Sequence, residues 1–165
     1  MTKFLFLNLM ALISFNALAH EGHHHANPMH LKMVHPINDT EKKKFELINE
    51  KFLSEVYPVF KRTCFDCHSS QTQYPWYYQL PGAKQIIDSD IKEAQGHLVF
   101  ENGFPFKSHA MPTEDLNAIA AEVNEGDMPP LRYKLLHPKS TLSEDDKKVI
   151  LNWINWSKET LLKNL

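Results

Sequence analysis

The chain has 165 residues, enough for one domain with a sizeable core, and its 18 basic and 20 acidic side chains leave a formal charge of −2. A balance so small and so mixed argues against a nucleic-acid partner and against binding to an anionic membrane surface. Nothing in it marks a phosphate loop, a dinucleotide fingerprint, a nucleophile elbow or an internal repeat.

Residues 1–19 read as an export signal. Lys3 supplies the positive start, Phe4 to Leu18 is apolar apart from Asn8 and Asn16, and Ala17-Leu18-Ala19 has the small-residue cleavage pattern. The apolar run is too short and too interrupted for a span of about 20 residues, and no cysteine follows the cleavage site to carry a lipid. The expectation is a periplasmic protein beginning at His20 without stable membrane insertion. Residues 20–38 form a flexible segment holding His20, His23, His24, His25, His30 and His35, with Met29 and Met33 among them. Imidazoles and thioethers suit copper, so His20, His23, His24 and His25 are a candidate metal site. The H-E-x-x-H match at His20-Glu21-Gly22-His23-His24 needs a helix to be meaningful, and a chain end beside Gly22 is a poor place for one.

Asn38-Asp39-Thr40 starts the domain at 39–165 with helix-initiating residues. From Glu41, the side chains of Phe45, Ile48, Phe52, Leu53, Val56, Tyr57 and Phe60 cover about half a helix circumference, as a core-facing helix requires. Leu47 falls outside that face, and Pro58 should kink or end the helix.

Then comes Cys64-Phe65-Asp66-Cys67-His68. Two thiols about one helical turn apart, with histidine directly after the second, form the attachment signal of a c-type haem. The cysteines match the spacing of the two haem vinyl groups, and His68 can offer an imidazole nitrogen to the iron. These are the only two cysteines. A thioredoxin-like pair would need a βαβ setting, a zinc site would need a second ligand pair, and a disulfide across two residues is strained.

Tyr74-Pro75-Trp76-Tyr77-Tyr78 reads as an aromatic wall for a flat apolar cofactor, with Trp76 at its centre. Ala83 to Gln95 is a predicted helix stopped by Gly96, and residues 97–112 are a predicted connecting loop holding His97, His109 and Met111. Thr113 is the predicted N-cap of a helix carrying Leu116, Ile119, Ala120 and Val123, with Gly126 as its C-cap. Asp127-Met128-Pro129-Pro130 follows. A methionine in a stiff, donor-poor loop suits an apolar haem face, and its thioether would complete His/Met ligation. Met128 is favoured over Met111 and over the loop histidines. Residues 131–140 read as a loop containing Tyr133 and His137, and the last helix, capped by Thr141 to Ser143, should cross the one before the motif.

In this order the motifs resemble the haem-binding domain family of exported bacterial monohaem c-type cytochromes. The resemblance runs over roughly residues 45–157, from Val56-Tyr57-Pro58-Val59-Phe60 through Cys64–Ser70, Pro75-Trp76-Tyr77, Gly126–Pro130, Tyr133 and His137-Pro138 to Leu142-Ser143 and Trp153. It implies an all-α, cytochrome c-like domain around one haem, held by Cys64 and Cys67, with His68 as proximal and Met128 as distal ligand. Trp76 and Tyr133 would line the haem pocket. The expected function is one-electron transfer with a periplasmic redox protein. The alternatives are a haem sensor or minor peroxidase with a displaceable sixth ligand, and a copper-handling protein that works through its histidine-rich segment.

Overall fold

A computed structural model describes residues 38–163, and the fold is all-α as expected. Helix α1 (Asp39–Lys51) opens where Asn38 accepts the Glu41 N–H at 2.7 Å, with Asp39 and Glu41 favourably placed at its positive end. The chain then widens into a π turn, Phe52–Val56, before α2 (Tyr57–Thr63). The regular α-helix thus gives way before Pro58, as expected, but the helical run does not end there and continues as α2. A proline ring collides with the carbonyl one α-turn back and offers it no N–H. The widened turn, in which the Tyr57 N–H bonds to the Phe52 carbonyl, absorbs both defects. It also rotates the buried face. Phe52, Val56 and Phe60 stay in the core, whereas Leu53, expected there, is 49% exposed.

Helix α3 (Phe65–His68) is a single turn, and Trp76–Gln79 is a 3₁₀ turn leading to α4 (Ala83–His97). Gly96 does not stop α4, which ends when Leu98 turns into extended backbone. Nor are residues 97–112 a mere connection. Strand β1 (Leu98–Val99) pairs antiparallel with β2 (Lys107–Ser108), and Phe100, Phe104 and Phe106 between them are buried. Phe106 packs edge-on to Phe52 with centroids 5.2 Å apart, and Phe104 packs edge-on to Trp153 at 6.1 Å. The tip is pinned by Asn49, whose Oδ1 accepts the Phe104 N–H at 2.8 Å.

Helix α5 (Pro112–Glu125) begins at Pro112 rather than after Thr113. Pro112 fits the first helical position, where no backbone donor is needed, and Glu114 accepts the Met111 N–H at 2.9 Å. Gly126 closes the helix at φ +77°, as expected of a C-cap glycine. The predicted 131–140 loop is instead α6 (Leu131–Leu136) and a 3₁₀ turn (Pro138–Ser140). Helix α7 (Glu144–Leu162) starts in a reciprocal cap between Ser143 and Asp146 and packs on α1, the π turn and α5. Its Trp153 is fully buried and donates its indole N–H to the Ile48 carbonyl at 3.3 Å. Among the described residues, no helix is long and apolar enough to cross a membrane.

Candidate functional site

The motif turn lies at the join of α2 and α3. Cys64 ends α2, and the Cys67 and His68 N–H groups both bond back to the Cys64 carbonyl, at 3.2 and 3.0 Å. That tight turn places Cys64, Cys67 and His68 together on the wall of an open cavity whose lining is mostly apolar, as cofactor sites commonly are. Burial pushes both thiols up to about 11, with the charges of Asp90 and Asp66 adding to the effect at Cys67. Thr63 Oγ1 lies 3.2 Å from Cys64 Sγ and opposes the shift there.

His68 is oriented by the small hairpin. Its Nδ1 lies 2.8 Å from the Leu98 carbonyl oxygen. A carbonyl only accepts, so Nδ1 carries the proton and Nε2 keeps its lone pair for a metal. Burial lowers the imidazole pKa and favours this neutral, ligating form. The Phe100 ring lies 5.0 Å away, and the Phe100 N–H bonds to the His68 carbonyl at 3.0 Å. Leu98 and Phe100 thus bear on the site although no sequence pattern pointed to them. Leu98 acts through its backbone carbonyl, and Phe100 sits in what read as a loop.

The rest of the cavity comes from later in the chain. Helix α5 supplies Ile119, Glu122 and Val123, followed by Met128, Pro129 and Pro130 and then by Tyr133 of α6. Of the distal candidates only Met128 lines the cavity. His97, His109 and Met111 do not, and Met111 instead stands at the head of α5, 62% exposed. Tyr133 is on the wall. Trp76 is not. It is 82% exposed, because the 3₁₀ turn after Pro75 holds it outward, edge-on to Tyr77. The aromatic surfaces facing the cavity are Phe60, Phe100 and Tyr133.

Besides the candidate ligands, Thr63, Asp66, Glu122 and Tyr133 bring polar groups to this lining. Asp66, inside the motif, accepts a 2.5 Å hydrogen bond from the Tyr133 hydroxyl, and burial together with that carboxylate holds the phenol proton far more firmly than usual. Glu122 is pushed up by burial and by the nearby charges of Asp127 and Glu125.

The donors fit a haem. The walls present one imidazole, one thioether and two thiols, and a porphyrin itself supplies four equatorial nitrogens. Among the described residues no group of three or more His, Cys, Asp or Glu side chains is gathered as a bare ion would require. The expected export signal and the histidine-rich segment with His20, His23, His24 and His25 lie outside the described residues.

Comparison with known proteins agrees with this chemistry. Cytochrome c peroxidase Ccp of Escherichia coli (strain K12) is 33% identical over 123 residues, which cover 71% of this chain and 26% of that protein. The chain thus spans about a quarter of that relative's length. No solved structure matches it. The profile of the Haem-binding domain family matches residues 29–156, a stretch that includes every residue on the cavity wall. The chain belongs to the haem-binding domain family.

Proposed function

We propose that this chain is a periplasmic monohaem c-type cytochrome that carries single electrons between redox proteins. The observation that supports it best is the cavity itself, where Cys64, Cys67, a backbone-anchored His68 and Met128 share one apolar space. Cys64 and Cys67 would hold the haem as thioethers, His68 Nε2 would be the proximal ligand and Met128 Sδ the distal one. The haem supplies a one-electron couple, and His/Met ligation places it at a raised potential. The chain does the rest. The Leu98 carbonyl orients the imidazole, while Phe60, Phe100, Ile119, Val123 and Ile150 keep water from the site. If His68 and Met128 both hold the iron, no position on it is left for a substrate, which supports transfer rather than turnover. The histidine-rich segment, by its composition, would bind copper.

The test is the absorption spectrum of the purified exported protein, with its intact mass. Covalent haem and a weak long-wavelength sulfur-to-iron band that vanishes in Met128→Ala are the expected results. Loss of covalent haem from the unmodified protein would sink the reading. A second reading draws on two observations: Met128 is 42% exposed, and the relative is named a peroxidase. A thioether so open to solvent could give way to peroxide. A high-spin spectrum with rapid carbon monoxide binding in the unmodified protein would favour that reading.

A further inference from the structure

The two ligand-bearing segments lie far apart in the chain, and something must fix the distance between them. His68 ends the motif turn, and Met128 lies between α5 and α6. Among the described residues, one side-chain hydrogen bond joins the motif turn to α6, the helix that follows Met128, from Tyr133 Oη to Asp66 Oδ2 at 2.5 Å.

Both ends of this bond are braced. Asp66 Oδ1 accepts the Gln73 N–H at 3.0 Å, and the Asp66 carbonyl accepts the Thr72 hydroxyl at 2.7 Å, so the carboxylate cannot swing. On the other side the Tyr133 ring stacks on His137, with centroids 4.1 Å apart and planes 23° from parallel. The methionine is gripped on both flanks by the same turn of α6. The Tyr133 N–H bonds to the Pro130 carbonyl at 2.9 Å, and Lys134 Nζ bonds to the Gly126 carbonyl at 2.8 Å. Motion of Tyr133 away from Asp66 would therefore carry the methionine segment with it.

We propose that the Tyr133–Asp66 hydrogen bond is a positioning strut that holds the Met128 thioether within bonding reach of the iron carried by His68. The proposal rests on the His/Met reading above. A hydrogen bond to a carboxylate in a half-buried site is among the stronger ones a protein makes. It acts here on a ligand that is otherwise open to solvent. Removing it leaves the cavity wall in place and lets the sixth ligand retreat.

Tyr133→Phe keeps the ring, its stacking on His137 and the wall, and deletes only the hydroxyl. In the haem-loaded protein the sulfur-to-iron band should weaken, and carbon monoxide should bind the reduced form roughly tenfold faster. Asp66→Asn, which removes the charge from the other partner, should move both readouts the same way. It serves as the second route should the first variant be poorly produced. Arg132→Ala is the control. It breaks the ion pair from the same helix to Asp90 and should leave the band intact. An unchanged band and an unchanged carbon monoxide rate in both strut variants would overturn the proposal while leaving His/Met ligation standing. Equal damage in Arg132→Ala would also overturn it, because general loosening of α6 would then be the cause. Absence of the band from the unmodified protein would remove His/Met ligation and the strut together.

Discussion

Glu122 shows how a single side chain can tie this fold to pH. It lines the cavity on α5, and burial, followed by the neighbouring charges of Asp127 and Glu125, raises its pKa above the usual carboxylate range. The folded state therefore holds a proton that the unfolded chain has already released. Under linkage, stability falls with rising pH wherever the native state binds more protons. The contribution of Glu122 is thus complete below its unfolded pKa and is lost as pH climbs through the raised folded value. Glu122→Gln keeps the neutral, hydrogen-bonding form at all pH. Thermal melts of the haem-loaded protein from acid to neutral pH should show the unmodified chain losing ground to this variant as pH rises. Parallel curves would mean that Glu122 does not titrate in that window.

At the scale of elements, the small hairpin has the largest effect for its length. Its Leu98 carbonyl sets the His68 tautomer, and its phenylalanines fill the core between α1 and α7. Gly103 at the tip has φ +74°, and a Cβ there would lie 2.2 Å from Asn49 Oδ1. Gly103→Ala is therefore strained twice, by backbone conformation and by collision, and should cost about 2 kcal/mol or more. Chemical denaturation measures this, and a loss under about 0.5 kcal/mol, the range of neutral surface changes, would show that the tip relaxes freely. The hairpin also marks the limit of what the sequence reveals. The long helices, the Gly126 cap and the motif turn were legible because each is a local pattern of periodicity, capping chemistry or spacing. Phe100, Phe104 and Phe106 lie at even spacings, but Gly103 and Pro105 between them interrupt any regular element, so a turn rather than a strand aims them. The start of α5 was misplaced because Pro112 and Glu114 together outweigh an intrinsically good cap at Thr113. Trp76 was read as wall because aromatic composition does not say which way a 3₁₀ turn points its side chains. Met128 was legible because stiff prolines and a nearby cap narrowed where the chain could go, whereas Tyr133 came from the resemblance.

The molecule as a whole divides its burial unevenly, and that division follows the cofactor. Helices α1 and α7, the π turn and the hairpin share a continuous core of Ile48, Phe52, Phe104, Phe106, Trp153 and Ile154, none of which lines the cavity. In contrast, α4, α6 and the Trp76–Gln79 turn contain no buried residue of their own. Leu131, Leu135 and Leu136 of α6 are all exposed. What these elements can gain from packing comes largely through the motif turn and the cavity wall. A ligand that binds only the folded state stabilises the parts that touch it most, and segments with few buried contacts open at the lowest free energy. A protein matured without haem, as in the pair Cys64→Ser and Cys67→Ser, should therefore keep amide protection in α1 and α7 and lose it in α6 and the 3₁₀ turn. Hydrogen exchange read by mass spectrometry, segment by segment, makes the comparison. Uniform loss across all helices would mean that the domain folds only around its cofactor. Full protection of α6 without haem would mean that the cavity is preformed, and that Tyr133, with its bonds to Asp66 and to Pro130, is sufficient to hold α6 against the motif turn.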